Sequence, residues 1–187
     1  MRQKGAGVPT FTYPDVGATR HAGTDRAPAA GADLPSGYRH LHYRTRLRSD
    51  AFTVAADAVL TWRMHRRAGA RIAASAPRAD PGVLVTVGLG VGRLRMAAPC
   101  AVVWTATSDE RAGFAYGTLP GHPASGEEAF IVERTGGEVW FAVVAFSRPV
   151  ALPMRMAGPV GALFQYAYAR RCGQALRRLT RSAHPHQ

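Results

Sequence analysis

Period-two alternation opens the readable part of the chain. In Tyr38–Leu47, Tyr38, His40, His42, Arg44 and Arg46 fall on one side and Arg39, Leu41, Tyr43, Thr45 and Leu47 on the other, which predicts a first strand. The period then lengthens. Phe52, Ala55, Val59 and Trp62 follow at offsets of three, four and three, the apolar stripe of a helix. Ser49 or Asp50 offers an N-cap, Arg63, Arg66 and Arg67 suit the negative end of the helix dipole, and Gly69 is a stop, so one helix is expected to about Arg67. From Arg71 to Pro149 the pattern predicts only strands, at 71–76, 83–91, 94–107, 113–119, 129–134 and 139–147. Pro81-Gly82, Gly92, Asp109-Glu110, the Gly/Pro turn at 119–123 and Gly136-Gly137 separate them, as in an antiparallel meander. In VWFAVVAF, residues 139–146, both faces are apolar, so this strand needs cover on both sides. One cover is a helix. The other is either a second subunit, which would make a homodimer, or the N-terminal segment.

Pro159 sits where a last helix would begin. Val160, Leu163, Phe164, Ala167, Tyr168, Cys172, Ala175, Leu176 and Leu179 give that helix a broad apolar face, with Arg170, Arg171, Arg177, Arg178 and Arg181 mainly outside it. The order is therefore strand, helix, six strands and a long helix. A sheet with helices on one side has to curl around the long helix to bury its stripe. The expected class is α+β, with a curved antiparallel sheet of about six to seven strands wrapped around a C-terminal helix. This is the helix-grip arrangement shared by START and birch-pollen-allergen-like proteins, and by fold-level analogy it encloses a cavity. Residues 1–36 are rich in Gly, Ala, Pro and Thr and read as irregular, except that Phe11-Thr12-Tyr13-Pro14 can fasten an aromatic pair to the domain. The expected organisation is an extension at 1–10, one domain at 11–180 and a flexible tail at 181–187.

Composition changes this picture little. The formal net charge is +12, nearly all of it arginine, with Lys4 the only lysine. The arginines are dispersed and no nucleic-acid-reading motif accompanies them, so no specific nucleic-acid partner is expected. No apolar run approaches the roughly 18 residues of a membrane span, and a soluble cytoplasmic protein is the expectation. Cys100 and Cys172 are far apart in apolar surroundings and read as buried free thiols. His40 and His42 share a strand face without a third ligand nearby, and neither a metal nor a cofactor is expected.

The candidate chemistry gathers in Phe114–Phe130, FAYGTLPGHPASGEEAF. Phe114, Tyr116 and Thr118 share a strand face, and Tyr116 and Thr118 bring hydroxyls to it. Gly117 leaves room for a close approach. Two prolines make 119–123 a rigid turn that holds His122 in a defined place. Glu127 and Glu128 begin the next strand and point to opposite faces. In one reading, His122, one of these glutamates and Arg148 meet at a cavity mouth, with His and carboxylate as acid and base and Arg148 binding an anionic head group. In the other, a glutamate pairs with Arg148 across strands and His122 caps the turn. Gln165 lies at the edge of the helical stripe, either inward toward a ligand or the 147–149 backbone, or outward in solvent.

This motif resembles the bacterial and plant family known as domain of unknown function 1990, or uncharacterised protein family 0548. Further matches are Tyr13-Pro14-Asp15-Val16-Gly17-Ala18-Thr19, Gly37-Tyr38, Ala58 to Trp62, Ser147-Arg148-Pro149, and Gly158-Pro159 followed by Gln165. The resemblance covers roughly residues 11 to 180. Two stretches depart from it. Arg46-Leu47-Arg48-Ser49-Asp50 stands in place of a Gly-rich link, and Cys100-Ala101 in place of an Arg-Val pair. The resemblance implies that the motif is the site and confers no reaction. The leading expectation is a domain that binds a small apolar or amphipathic ligand through Tyr116, Thr118, His122, Glu128, Arg148 and Gln165. The alternatives are a cyclase- or hydrolase-type enzyme using His122 with Glu127 or Glu128, and a homodimeric interaction module.

Overall fold

The computed structural model describes residues 9–21, 34–91, 94–150 and 159–182. Seven strands form one antiparallel sheet: β1 (Arg39–Arg46), β2 (Arg71–Ala74), β3 (Leu84–Val91), β4 (Leu94–Thr107), β5 (Arg111–Thr118), β6 (Ala124–Thr135) and β7 (Glu138–Pro149). Their order is β1-β7-β6-β5-β4-β3-β2, so the hairpins from β2 to β7 form a meander and β1 closes against the last strand. Helices α1 (Phe52–Leu60) and α2 (Arg63–Arg67) fill the crossover from β1 to β2, and α3 (Pro159–Ser182) follows β7. α3 packs on α1, α2 and β1, and Arg177 ties it to the edge strand by donating to Thr45 Oγ1 at 2.6 Å and to the Arg46 carbonyl at 3.1 Å. This is the expected α+β arrangement, an antiparallel sheet packed against a long C-terminal helix. The extension at 1–8, the turn at Gly92, Gly158 and the tail from 183 onward lie outside the described residues.

Strand alternation divides the side chains between two faces. Val85, Val87, Cys100, Val102, Phe114, Phe130, Val132, Phe141 and Val143 face the helices, where they meet Phe52, Val59, Trp62, Met64, Cys172 and Leu176 in one core. Each such large side chain contributes roughly 1.5–3 kcal/mol when fully buried. β4 and β5 pair Val102 with Tyr116 but Trp104 with Ala115, so one residue is extra on β4. This bulge inverts the strand's parity. Trp104 thereby turns to the outer face, where it clusters with Ala115, Ala129 and Ile131.

The single helix expected to Arg67 is instead two. Trp62, at φ 64°, takes the left-handed conformation and ends α1 before α2 begins. That conformation disfavours a bulky residue by roughly 1–2 kcal/mol. Tertiary packing holds it: the indole is fully buried, its N–H donates to the Ala76 carbonyl at 3.1 Å, and its ring meets Phe114 edge-on at 5.0 Å. The apolar stripe survives the kink, since Phe52, Ala55, Val59 and Trp62 are all buried. Trp62→Phe should therefore lower stability by about 1–2 kcal/mol, through the lost hydrogen bond and a small void. Urea unfolding measures it; an unchanged midpoint would mean that the indole does not hold the kink.

The second cover of β7 is visible at Phe146. The N-terminal segment lies across the outer face as a strap, with Tyr13 edge-on to Phe146 at 5.4 Å and Phe11 beside Tyr13 at 5.8 Å. Tyr38 meets the same ring at 5.1 Å. Ala142, Val144 and Phe146 are at most 1% exposed, so the apolarity of this face is met by the chain itself. Gly117 makes the strap possible: a Cβ there would come within 2.1 Å of the Tyr13 hydroxyl.

Candidate functional site

Glu127 and Glu128 are neighbours on β6 with opposite environments, as strand alternation requires. Glu127 points to the outer face and receives the strap. Tyr13 Oη donates to its Oε2 at 2.8 Å and the Gly17 N–H to the same oxygen at 2.7 Å. The Thr19 N–H donates to Oε1 at 3.1 Å, and the Thr19 hydroxyl makes a short hydrogen bond to Oε1. The Trp104 indole N–H completes the group by donating to Thr19 Oγ1 at 3.0 Å, a contact that depends on the β4 bulge. Two further hydrogen bonds fix the strap's start: Thr12 and Thr118 hydroxyls at 2.6 Å, and Ser125 Oγ donating to the Thr12 carbonyl at 2.9 Å. Glu127, 2% exposed, is thus a fully engaged structural carboxylate.

Glu128 points the other way, into a cavity of about 300 Å³ between the sheet and the start of α3. Tyr116 Oη donates to its Oε2 at 2.8 Å. Burial pushes the carboxyl up to about 7, and the Tyr116 hydrogen bond only partly opposes that rise. Apolar walls come from residues such as Val87, Met96, Ala98, Ala145 and Phe164. The polar residues bordering the space include Tyr116, Thr118, His122, Ser147, Gln165 and Tyr168.

His122 is held by its turn. Its backbone N–H donates to the Leu119 carbonyl at 3.0 Å. Nδ1 lies 2.9 Å from the Ala124 N, whose N–H donates to it, and 2.8 Å from the Ala124 carbonyl. A neutral ring satisfies one of these contacts, and an imidazolium only the second. Burial holds its pKa below the ordinary histidine value, against the pull of that carbonyl. The ring therefore caps its turn and also borders the cavity. Gln165 faces inward, with Nε2 donating to Ser147 Oγ at 3.1 Å. Thr118 borders the space, but its hydroxyl is engaged with Thr12 and accepts the Gly126 N–H at 3.0 Å. Gly126 is itself required, because a Cβ there would stand 2.0 Å from the Phe146 carbonyl oxygen.

Of the expected site residues, the structure brings Tyr116, Thr118, His122, Glu128 and Gln165 together around one hollow. Arg148 does not join them. Ser147 points inward to Gln165, so the next residue on β7 points outward, and Arg148 is exposed with its guanidinium 5.2 Å from the Tyr38 ring. It pairs with neither glutamate, since β6 sets Ser125 opposite it. Glu127 borders the hollow but has both oxygens committed to the strap. Among the described residues no group of three or more His, Cys, Asp or Glu side chains could hold a metal, and His40 binds the Pro35 carbonyl at 2.8 Å.

Sequence reasoning missed His65. It is completely buried on α2 among Trp62, Phe114, Tyr116, Phe130 and Tyr168, 4.5 Å from the Phe130 ring centre. Nδ1 is 2.8 Å from the Tyr168 hydroxyl, while Nε2 has no hydrogen-bond partner among the described residues. Burial pushes its pKa down to about 3, so the ring is neutral. The one available signal was its position three residues after Trp62, masked by the arginines on either side.

Solved structures share this fold at low identity. A hypothetical protein of Helicobacter pylori superposes with a TM-score of 0.62 at 7% identity, over 76% of this chain and 88% of that one. Major latex-like protein 151 of Panax ginseng gives 0.56 at 14% identity, over 75% and 96%. Norcoclaurine synthase of Thalictrum flavum, in complex with dopamine and hydroxybenzaldehyde, gives 0.54 at 10% identity, over 80% and 90%. By sequence, a UPF0548 protein of Deinococcus radiodurans is 46% identical over 77 residues, 40% of this chain and 38% of the relative. A UPF0548 protein of Arabidopsis thaliana is 38% identical over 65 residues, 34% and 32% of the two chains. The chain thus spans about a third of the length of each of these relatives. The family model for Domain of unknown function (DUF1990) matches residues 12–175, from the strap to the middle of α3, and the chain belongs to that family.

Proposed function

We propose that this protein binds a small apolar or amphipathic molecule in the cavity between the sheet and α3. One observation carries the reading: a hollow of about 300 Å³, walled mainly by apolar side chains, with a few polar groups converging on it. Sites for small organic ligands have this character. Elsewhere on the inner face the strand side chains meet the helices in one buried core. Ala145, buried on β7, lines the hollow, and Ala145→Trp would fill it with an indole. Native mass spectrometry of protein desalted gently from its expression host should show a bound small molecule on the parent and none on the Ala145→Trp variant. A parent protein that carries no adduct, and that takes up no octan-1-ol in calorimetry, would sink the reading.

A second reading is favoured by two titratable side chains on the wall of the same hollow, His122 and the Glu128 carboxyl that burial pushes up to about 7. Such a group can give or take a proton near neutral pH, as acid–base catalysis requires. It predicts that His122→Ala abolishes turnover of some substrate while the melting temperature moves little. Retained turnover in that variant would count against it.

A further inference from the structure

The hollow has a charge pattern opposite to that of the whole chain. The protein carries 24 Lys and Arg against 12 Asp and Glu, yet no arginine or lysine lines the cavity among the described residues. The carboxylate free to face it belongs to Glu128. Oε2 accepts from Tyr116, whereas Oε1 has no hydrogen bond and Glu128 forms no ion pair among the described residues. Glu128 is half-buried on the wall of the hollow, where a carboxylate with one protein hydrogen bond has lost part of its solvation and a cation placed against it restores that loss. His122, also on the wall, is neutral above pH 7 and adds no opposing positive charge.

We infer that the polar end of the ligand is a cation of the protonated-amine class, seated on Glu128 with its apolar body against Ala98, Ala145 and Phe164. The inference rests on the binding reading above and adds the ligand's charge. The amine N–H groups would donate to Oε1, while Tyr116 keeps Oε2 and fixes the carboxylate's orientation. An anionic ligand of the same shape would meet Glu128 as a like charge, although the protein as a whole attracts anions.

Calorimetric titration at pH 8 with octylamine, octan-1-ol and octanoate tests this, since the three share one apolar chain and differ in charge. Octylamine is expected to bind at least tenfold more tightly than octan-1-ol, and octanoate most weakly. In Glu128→Gln the ratio of octylamine to octan-1-ol affinity should fall to about one. A second measurement needs no variant: in the parent, the amine advantage should shrink as pH falls from 8 to 5. The titratable groups facing Glu128 act in the same direction or stay silent. Tyr116, Tyr168, Cys100 and Cys172 are all pushed upward and remain neutral, and His122 can only gain positive charge. Octan-1-ol or octanoate binding as tightly as octylamine overturns the inference and leaves the binding reading intact. An amine advantage that persists in Glu128→Gln, or that ignores pH, overturns the assignment to Glu128. Binding of none of the three overturns both readings.

Discussion

Glu127→Ala should lower stability by about 3–5 kcal/mol and release the strap. Four donors lose their acceptor at once: the Tyr13 and Thr19 hydroxyls and the Gly17 and Thr19 N–H groups. Hydrogen bonds to a charged group each contribute roughly 1.5–3 kcal/mol, and a buried donor left unpaired costs about 1–3. Undocking of the strap caps the loss, because the freed groups then reach water. Undocking also opens the outer sides of Trp104 and Phe146. The expected readouts are a lower urea midpoint, faster proteolysis within residues 9–21 and a red-shifted Trp104 emission. Glu127→Gln should fall in between, since its amide nitrogen faces donors rather than acceptors. A Glu127→Ala variant with parental stability and protease resistance would mean that the carboxylate does not hold the strap.

At the adjacent residue the expected effect has the opposite sign. Burial raises Glu128 from an ordinary 4.5 to about 7 in the folded state. The folded chain therefore keeps a proton that the unfolded chain loses between those values. Stability attributable to this group is fully present below about 4.5, is lost as pH rises through about 7, and is constant above that. At pH 8 the cost approaches about 3 kcal/mol. Glu128→Gln removes the ionisation while retaining an oxygen for Tyr116, so it should be more stable than the parent at pH 8 by up to that amount. The difference should vanish near pH 4.5. Urea melts of both proteins at the two pH values give the answer, and a variant less stable than the parent by the same margin at both would refute the assigned burial cost. On the proposed cationic ligand, fold stability and binding would pull against each other at Glu128.

These two glutamates also mark what sequence can and cannot disclose. Alternation alone places Glu127 and Glu128 on opposite faces. It does not say which face carries the cavity, because that depends on which side the helices cover. The strands from β1 to β7 were legible through period two and Gly/Pro punctuation, and α3 through its apolar stripe. The break at Trp62 was not legible, since the stripe runs through it unbroken and nothing local marks a left-handed tryptophan. The outward turn of Trp104 was hidden for a similar reason: one extra residue on β4 shows only in the pairing with β5. Neither sequence reading of Arg148, at the cavity mouth or paired with a glutamate, matches the structure, because Arg148 follows the inward-facing Ser147 on β7 and strand parity turns it to the outer face. The cage around His65 joins α2, α3, β5 and β6, and no local pattern reports a contact among four elements.

The strap joins residues 85 to 114 positions apart, and its seat is built from β4, β5 and β6. During synthesis residues 9–21 emerge long before that seat exists. They dock late, once the meander has paired, because contacts between remote segments cannot form before the intervening chain is ordered. Until then Trp104 and Phe146 lack their strap partners on the sheet's back, and a nascent or N-terminally shortened chain exposes a greasy surface prone to clumping.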